Sequence, residues 1–501
     1  MDFLGLLLCA IFTCILVHSL NSLLGWKKRS AIKYPPGPNG FPIIGNLFEL
    51  GDKPHMSLAK LSQIHGPIMS LKLGCITTVV VSSPLMAKEV LQTHDISFSN
   101  RTVPDALRSY KHDEFGLPWM PMSSRWRSIR KICNLHMFSG KKLDGNHHLR
   151  RSKVQELLSE VQKCCEAGCA VAIGEVAFGT SLNFLSSTIF SMDLDSQPGS
   201  GSVQDFKTLV RHMTEAGGKP NLADYFPILR KIDPQGIRSR HKIFTGEMMQ
   251  LFNQMIAVRL QLRKVPGYVT SNDMLDALLD ISENNSEEID TSRIEHLLLD
   301  LFVAGTDTTA STLEFSMAEL LRNPETLMKA RAELENTIGK GNPVQESDIS
   351  RLPYLQAIVK ETFRLHPTAP LLIPRKAPDA DTAIAGFTVP KGAQVLVNAW
   401  AIGRDPSTWD NPISFEPERF LRSDIDVRGQ NFELIPFGSG RRICPGLPLA
   451  IRMIHLMLGS LIHSFDWKLE DGVSTEDLNM EEKFGITLQM AHPLRAVPIL
   501  R

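Results

Sequence analysis

The chain carries no surplus charge: over 501 residues, 54 lysines and arginines stand against 54 aspartates and glutamates. That balance argues against a nucleic-acid binder, which concentrates positive charge. No G-x-G-x-x-G run follows a strand and no flavin domain is visible, so electrons for any redox chemistry come from another protein. Repeats are absent too, which excludes solenoids and propellers. The eight cysteines are scattered along the whole length, two of them (Cys9 and Cys14) inside the first apolar run. Such a distribution is no disulfide framework and fits a reducing compartment. Cys164, Cys165 and Cys169 cluster locally, but without partner ligands at zinc-like spacing they read as inert thiols.

What is present begins with an apolar stretch from Phe3 to Trp26. A hydrocarbon core of about 30 Å needs roughly 20 such residues. Lys27-Lys28-Arg29 follows it and only Asp2 precedes it, the charge order of an uncleaved anchor whose body stays cytosolic. Residues 1–26 are therefore expected to be a transmembrane anchor and 27–40, with Pro35-Pro36-Gly37-Pro38, a basic and stiff spacer. The remainder, 41–501, is expected to form one large domain, although the length alone allows two or three.

Within that body, Met69–Leu73 and Thr77–Ser82 alternate as strands, and the whole stretch from Phe41 to Val81 reads as β-like. Helical periodicity then dominates, over Leu85–Gln92, Ser124–Asn134, Leu149–Glu166, Val203–Ala216 and Ile237–Arg263. Asp195–Ser202 and Glu283–Glu288 read as exposed loops. Short strands punctuated by proline and glycine return at Ala369–Leu396, and a final hairpin is expected over Phe484–Pro498. The fold class is mainly α with small β sheets.

Two stretches carry chemistry. The first is Phe437-Gly-Ser-Gly-Arg-Arg442-Ile-Cys444-Pro-Gly446. A cysteine that ligates a large flat cofactor needs a sharply bent loop, and Gly438 and Gly440 supply the backbone freedom. Arg442 offers a cation for an anionic group, Phe437 an apolar lid, and Gly446 close approach at the start of a helix. The second lies in a long helix from Asp290 or Ser292 to Arg322, with Ser292-Arg-Ile-Glu295 at capping-box spacing and Asn323-Pro324 as the stop. Its apolar run Leu297–Val303, with Asp300 the one charge, gives way to Ala304-Gly305-Thr306-Asp307-Thr308-Thr309. Threonines there bond carbonyls one turn back and open a notch, where a hydroxyl and a carboxylate suit dioxygen binding and proton delivery.

These runs resemble, position by position, the F-x-x-G-x-R-x-C-x-G haem loop and the A/G-G-x-D/E-T-T/S helix of the cytochrome P-450 family. Anchor, proline spacer, Glu361-Thr-Phe-Arg364 and Pro417-Glu-Arg419-Phe420 occur in the family's order and spacing, so the resemblance spans nearly the whole chain. Asp300–Thr309, Val397–Asp405, Cys444–Leu449 and Asp477–Thr487 are similar to the plant microsomal family 76 group, and Pro54–Ser62 and Lys219–Leu222 to its geraniol-hydroxylating members. The resemblance implies a single haem domain with haem b held by Cys444 as axial iron ligand. It implies Trp126, Arg130, Arg375 and Arg442 as partners of the haem propionates, with Phe437 and Gly438 in the cofactor loop. Asp307 and Thr308 become the catalytic acid and alcohol, and Glu361, Arg364 and Arg419 a structural charge triad. His366 and His455 are read as structural.

The same resemblance implies a monooxygenase of the endoplasmic reticulum membrane, using O2 and electrons from NADPH–cytochrome reductase, with Arg127 and Lys131 as docking candidates. The expected substrate is a small apolar terpenoid, foremost geraniol oxidised at a methyl remote from its hydroxyl. Phe115, Leu117, Trp119, Phe302, Ala304, Ala369, Leu371 and Thr487 are the expected pocket, with Thr306 and Thr487 orienting the substrate. Two places depart from the geraniol hydroxylases: Gly217-Gly218, with an extra glycine, and Glu114–Met120. A widened entrance at Gly217-Gly218 would admit a phenolic or diterpenoid substrate. A membrane-held haem electron carrier or sensor, and an isomerase or dehydratase of oxygenated lipids, are the rival readings; Asp307-Thr308 argues against both.

Overall fold

The computed structural model describes residues 33–193, 203–271, 273–285, 287–470 and 472–501. The expected anchor, the start of the spacer and the whole Asp195–Ser202 loop lie outside them. The elements that position the site are, in chain order, β1 (Ile68–Leu73), β2 (Ile76–Val81), β3 (Asn100–Arg101), α1 (Ser124–His136), α2 (His147–Ala167), α3 (Ile173–Phe190), α4 (Val203–Gly218), α5 (Ile237–Arg263), α6 (Thr291–Arg322), α7 (Pro353–Leu365), β4 (Arg375–Lys376), β5 (Gln394–Val397), α8 (Leu447–Ser464), β6 (Phe465–Leu469) and β7 (Arg495–Leu500). The fold is mainly helical with small sheets.

α6 is the spine. The side chain of Asp290 caps it by accepting from the Arg293 amide at 2.9 Å, so the expected Ser292–Glu295 box is not the cap. Helix α3 packs along it, with α5, α7 and α8 on its other sides. Gly305 permits the closest approach, since a Cβ there would come within 2.9 Å of Leu185 Cδ1 on α3. α3 escaped the periodicity reading because it is buried nearly all round, Leu182, Phe184, Leu185 and Ile189 included, and such a helix shows no polar face. α8 is long and apolar enough to cross a membrane, but two-thirds of it is buried inside the protein, so it is a core helix.

The larger sheet runs β1-β2-β5-β4-β3. β2 and β5 pair in parallel, Val79 opposite Val395, and the other pairs are antiparallel. Two expectations fail here. A helix, Pro54–His65, interrupts the β-like stretch, started by a proline whose missing N–H costs nothing in a first turn. The expected terminal hairpin splits: Glu482–Lys483 pairs with Gln489–Met490, whereas β7 pairs with β6, at the end of the helix that follows Cys444.

Glu361, Arg364 and Arg419 come together at the end of α7. Arg364 grips Glu361 with two hydrogen bonds of 2.7 Å and reaches the carbonyls of Gly403, Pro412 and Ser414; Arg419 Nε adds a third bond to Glu361 at 3.0 Å. Both Glu361 and Arg364 are essentially inaccessible to solvent. Truncating one partner leaves a buried charge alone, at a cost of about 3–5 kcal/mol. Arg364→Met is therefore expected to unfold at markedly lower denaturant than the wild type. A loss no larger than that of an exposed arginine would show the cluster to be dispensable.

Candidate active site

The Cys444 loop is bent as its glycines require. Gly438 and Gly440 have φ of +69° and +70°, the left-handed region that side chains avoid. Gly440 also lies so near the helical segment Glu89–Thr93 that a Cβ would meet Leu91 O at 2.2 Å. Gly446 differs: a Cβ there would stand in ordinary contact with Cys444 Sγ, at 3.8 Å, so no close approach depends on it. The Cys444 amide donates to Phe437 O at 3.0 Å, and Phe437 packs edge-on to Phe363 of α7. Burial pushes the Cys444 thiol up, while the amides of Gly446 and Leu447 and the charge of Arg130 oppose it. The loop also abuts the cavity wall: a Cβ on Gly438 would stand 3.9 Å from Leu372 Cδ1, and Leu372 lines the cavity.

Beside this loop, guanidinium groups converge. Arg442 sits 4.7 Å over the Trp126 ring and donates to the carbonyls of Ser99, Leu117 and Met120. Arg375 reaches Phe98 O and Ser439 O. Both are lowered to about 10, Arg375 by burial and Arg442 by burial together with the charges of Arg375 and Arg130. Arg101, a residue that sequence reasoning missed, is lowered as well by burial and by the charges of Arg375 and Arg442. Among the described residues, only Asp95, 3.7 Å from Arg375 and 3.1 Å from Arg441, answers these charges. Four like charges with one acid are costly unless anionic groups join them. A cofactor carrying two carboxylates fits such a place, and the cysteine loop fits its metal.

On α6 each threonine of the expected stretch bonds the carbonyl one turn back: Thr306 to Phe302, Thr308 to Ala304 and Thr309 to Gly305. Ala304 and Thr308 open onto a cavity of about 770 Å³. Asp307 points away from it. Gln489 donates to its Oδ1 at 2.7 Å, and burial raises its carboxyl against the pull of Thr487 and Gln489. Thr487 both reaches that carboxyl and lines the cavity, so it joins the acid to the open space.

Of the expected pocket residues, Trp119, Ala304, Ala369, Leu371 and Thr487 line the cavity. Three do not. Phe302 is fully buried in an aromatic cluster with Phe190, Phe206 and Phe252; Phe115 stacks on His296; Leu117 lends only its backbone, to Asp300, Trp126 and Arg442. Thr306 is buried and satisfied by Phe302 O, so it cannot orient a ligand. Trp126 gives its indole N–H to Leu117 O. His366 bridges Glu319 and Glu482, and His455, lowered by burial to about 4, bonds Ile451 O; neither approaches the cavity wall. The described residues hold no group of three metal-ligating side chains, the cysteines at 164, 165 and 169 included.

A family model described as cytochrome P-450 matches residues 35–493. The chain belongs to the cytochrome P-450 family. It is 55% identical to a geraniol 8-hydroxylase of Catharanthus roseus over 498 residues, 99% of each chain. It is 52% identical to cytochrome P-450 76T24 of the same plant, over 99% of each chain, and 52% identical to a drimenol monooxygenase of Persicaria hydropiper, over 99% of this chain and 97% of that one. This P-450 is thus a haem-thiolate monooxygenase of the family 76 group, using O2, a redox partner and a small-molecule substrate.

Gly217 and Gly218, the place of the expected wider entrance, both line the cavity. Gly217 and Gly218 end α4 against the turn at Gly485-Ile486. A Cβ on Gly218 would stand 2.4 Å from Ile486 N and 2.6 Å from Gly485 Cα, whereas one on Gly217 would meet only the tip of the Ile486 side chain. At Gly218 the end of the helix and the turn therefore meet backbone to backbone. Gly218→Ala is expected to cost about 1–3 kcal/mol and to admit bulkier substrates, with Gly217→Ala much milder. Equal thermal stability and equal substrate range for the two variants would refute the role of this contact.

Proposed function

We propose that this P-450 hydroxylates a small acyclic monoterpenol, geraniol or a close relative, at a methyl remote from its hydroxyl. The observation that carries this reading is the largely apolar cavity onto which Ala304 and Thr308 open, in a chain 55% identical to a geraniol 8-hydroxylase. A larger terpenoid or a phenolic is the second reading, favoured by the cavity volume of about 770 Å³ and by the drimenol monooxygenase among the relatives.

In this reading Cys444 would supply the thiolate that holds the haem iron. Metal coordination overrides the burial that otherwise keeps its proton on. Arg101, Arg130, Arg375 and Arg442 take the propionates, and Trp126 braces Arg442. Thiolate-ligated haem supplies the electron density that favours O–O cleavage and oxygen insertion into a C–H bond. The chain does the rest. Apolar walls hold the substrate by burial, at about 25 cal/mol per Å². Thr308 presents a hydroxyl on the cavity side of α6, and Asp307, which burial keeps readier to hold a proton than an ordinary aspartate, supplies protons from behind through Thr487. NADPH–cytochrome reductase is the proposed electron donor. Arg127 and Lys131 lie exposed on α1, opposite the buried Trp126 and Ile129, where an acidic partner can dock. Residues 1–26 are proposed as the anchor in the endoplasmic reticulum membrane and 27–40 as its spacer, leaving the catalytic domain cytosolic.

Two outcomes are expected. Reconstituted with reductase and NADPH, the enzyme turns over geraniol and, because apolar pockets separate single methylenes by only about 1–3 kcal/mol, nerol as well. Turnover confined to phenolics or to larger terpenoids would replace the monoterpenol reading. Thr308→Ala is expected to bind substrate as before while the NADPH consumed appears increasingly as hydrogen peroxide. Unchanged coupling in that variant would remove Thr308 from proton delivery.

A further inference from the structure

One end of the cavity is not apolar. His112, His241 and Asp300 all line it, and all three are buried. The His112 ring lies 3.1 Å from Asp300 Oδ1 through Nε2 and 2.8 Å from His296 through Nδ1. Asp300 Oδ2 accepts from the Leu117 amide at 2.7 Å. Both carboxylate oxygens are therefore engaged once, and each retains a lone pair. His241 Nδ1 meets the Thr245 hydroxyl at 3.1 Å, and burial together with the neighbouring His112 lowers this imidazole to about 4. In the tautomer where Thr245 donates to Nδ1, the neutral His241 ring carries its proton on Nε2, which has no other partner among the described residues. A spare donor and a spare acceptor thus face the same apolar space.

Burying such groups is unfavourable unless something bonds them. Their position on α6 suggests what. Asp300, Ala304 and Thr308 are successive turns of one stripe along the cavity wall, which puts Asp300 about 12 Å from Thr308 at 1.5 Å per residue. That span is comparable with an extended acyclic monoterpenol.

We propose that His241 and Asp300, with His112 holding the carboxylate in place, form an alcohol subsite: the substrate hydroxyl donates to Asp300 and accepts from His241 Nε2–H. The proposal rests on the monoterpenol reading above and deepens it. A hydroxyl fixed at this end leaves the far end of the chain, with its terminal methyls, beside Thr308. Regioselectivity then follows from the distance between two places on one helix. The orienting task that sequence reasoning assigned to Thr306 passes to residues on α5, α6 and the segment preceding α1.

The test uses the haem-loaded enzyme and the spectral shift of its ferric band on titration with geraniol, geranyl methyl ether and the corresponding hydrocarbon. One well-made hydrogen-bonded site corresponds to about tenfold in affinity. The wild type is expected to prefer geraniol to the hydrocarbon by about that factor, with the ether, which can only accept, in between. His241→Leu is expected to lose the preference, keep hydrocarbon binding and scatter the hydroxylation position; His241→Gln, which restores a donor, recovers part of both. Geraniol bound no more tightly than its hydrocarbon by the wild type overturns the subsite and leaves the monoterpenol reading standing, and this comparison needs no variant to fold. A preference intact in His241→Leu overturns it equally. Failure of all three ligands to bind overturns the monoterpenol reading, and the subsite with it.

Discussion

Four arginines packed around the Cys444 loop, with a single acid among them in the described residues, set the terms for everything nearby. Arg101 arrives on β3, Arg130 on α1, Arg375 on β4 and Arg442 on the loop itself, so the charge cluster stitches the sheet, a helix and the loop together. Backbone carbonyls take up part of their hydrogen bonding, yet carbonyl dipoles do not cancel net charge. An anionic cofactor at that point supplies what the chain omits. The haem-thiolate assignment thereby gains a physical reason independent of the resemblance: the protein has built a positive socket next to a buried sulfur.

Helix α6 divides the remaining labour by face. Polar side chains inside a buried helix are tolerable only if satisfied, and the threonines manage this by bonding carbonyls one turn back. Consecutive residues on a helix face different directions, so Asp307 and Thr308, adjacent in sequence, serve opposite sides. Asp307 is held by the strand at Gln489, and Thr308 opens onto the cavity. The acid is sheltered from the substrate and linked to it through Thr487 alone among the cavity-lining residues that reach it.

One part of the cavity wall is shaped by an absence of side chains. Gly218 has no room for a Cβ because the opposing atoms are backbone, which cannot rotate away. An extra glycine in a helix end reads in isolation as looseness. Against the turn at Gly485-Ile486 it permits a close backbone approach instead.

Much of this protein was legible from local chemistry. The bent loop at Cys444, the capped and stopped span of α6, the exact bounds of α5 from its periodicity and the pairing of Glu361 with Arg364 all depend on neighbours within a turn or two. Asp300 stood out as the one charge in an apolar run. What escaped was everything settled by distant partners. α3 lacks a polar face because other helices surround it. Phe302 and Thr306 lie on the helix that lines the cavity but on its inner side, a matter of rotation that only packing against α3 and α5 decides. Arg101 carries no motif, and its meaning comes from Arg375 and Arg442, hundreds of residues away along the chain. His112 and His241 mean nothing singly; they acquire chemistry because the fold brings them to one wall with Asp300. Sequence determined which groups could act, since that depends on residue type and local spacing. Tertiary structure alone decided which of them share a space, because burial and proximity are properties of the packed chain.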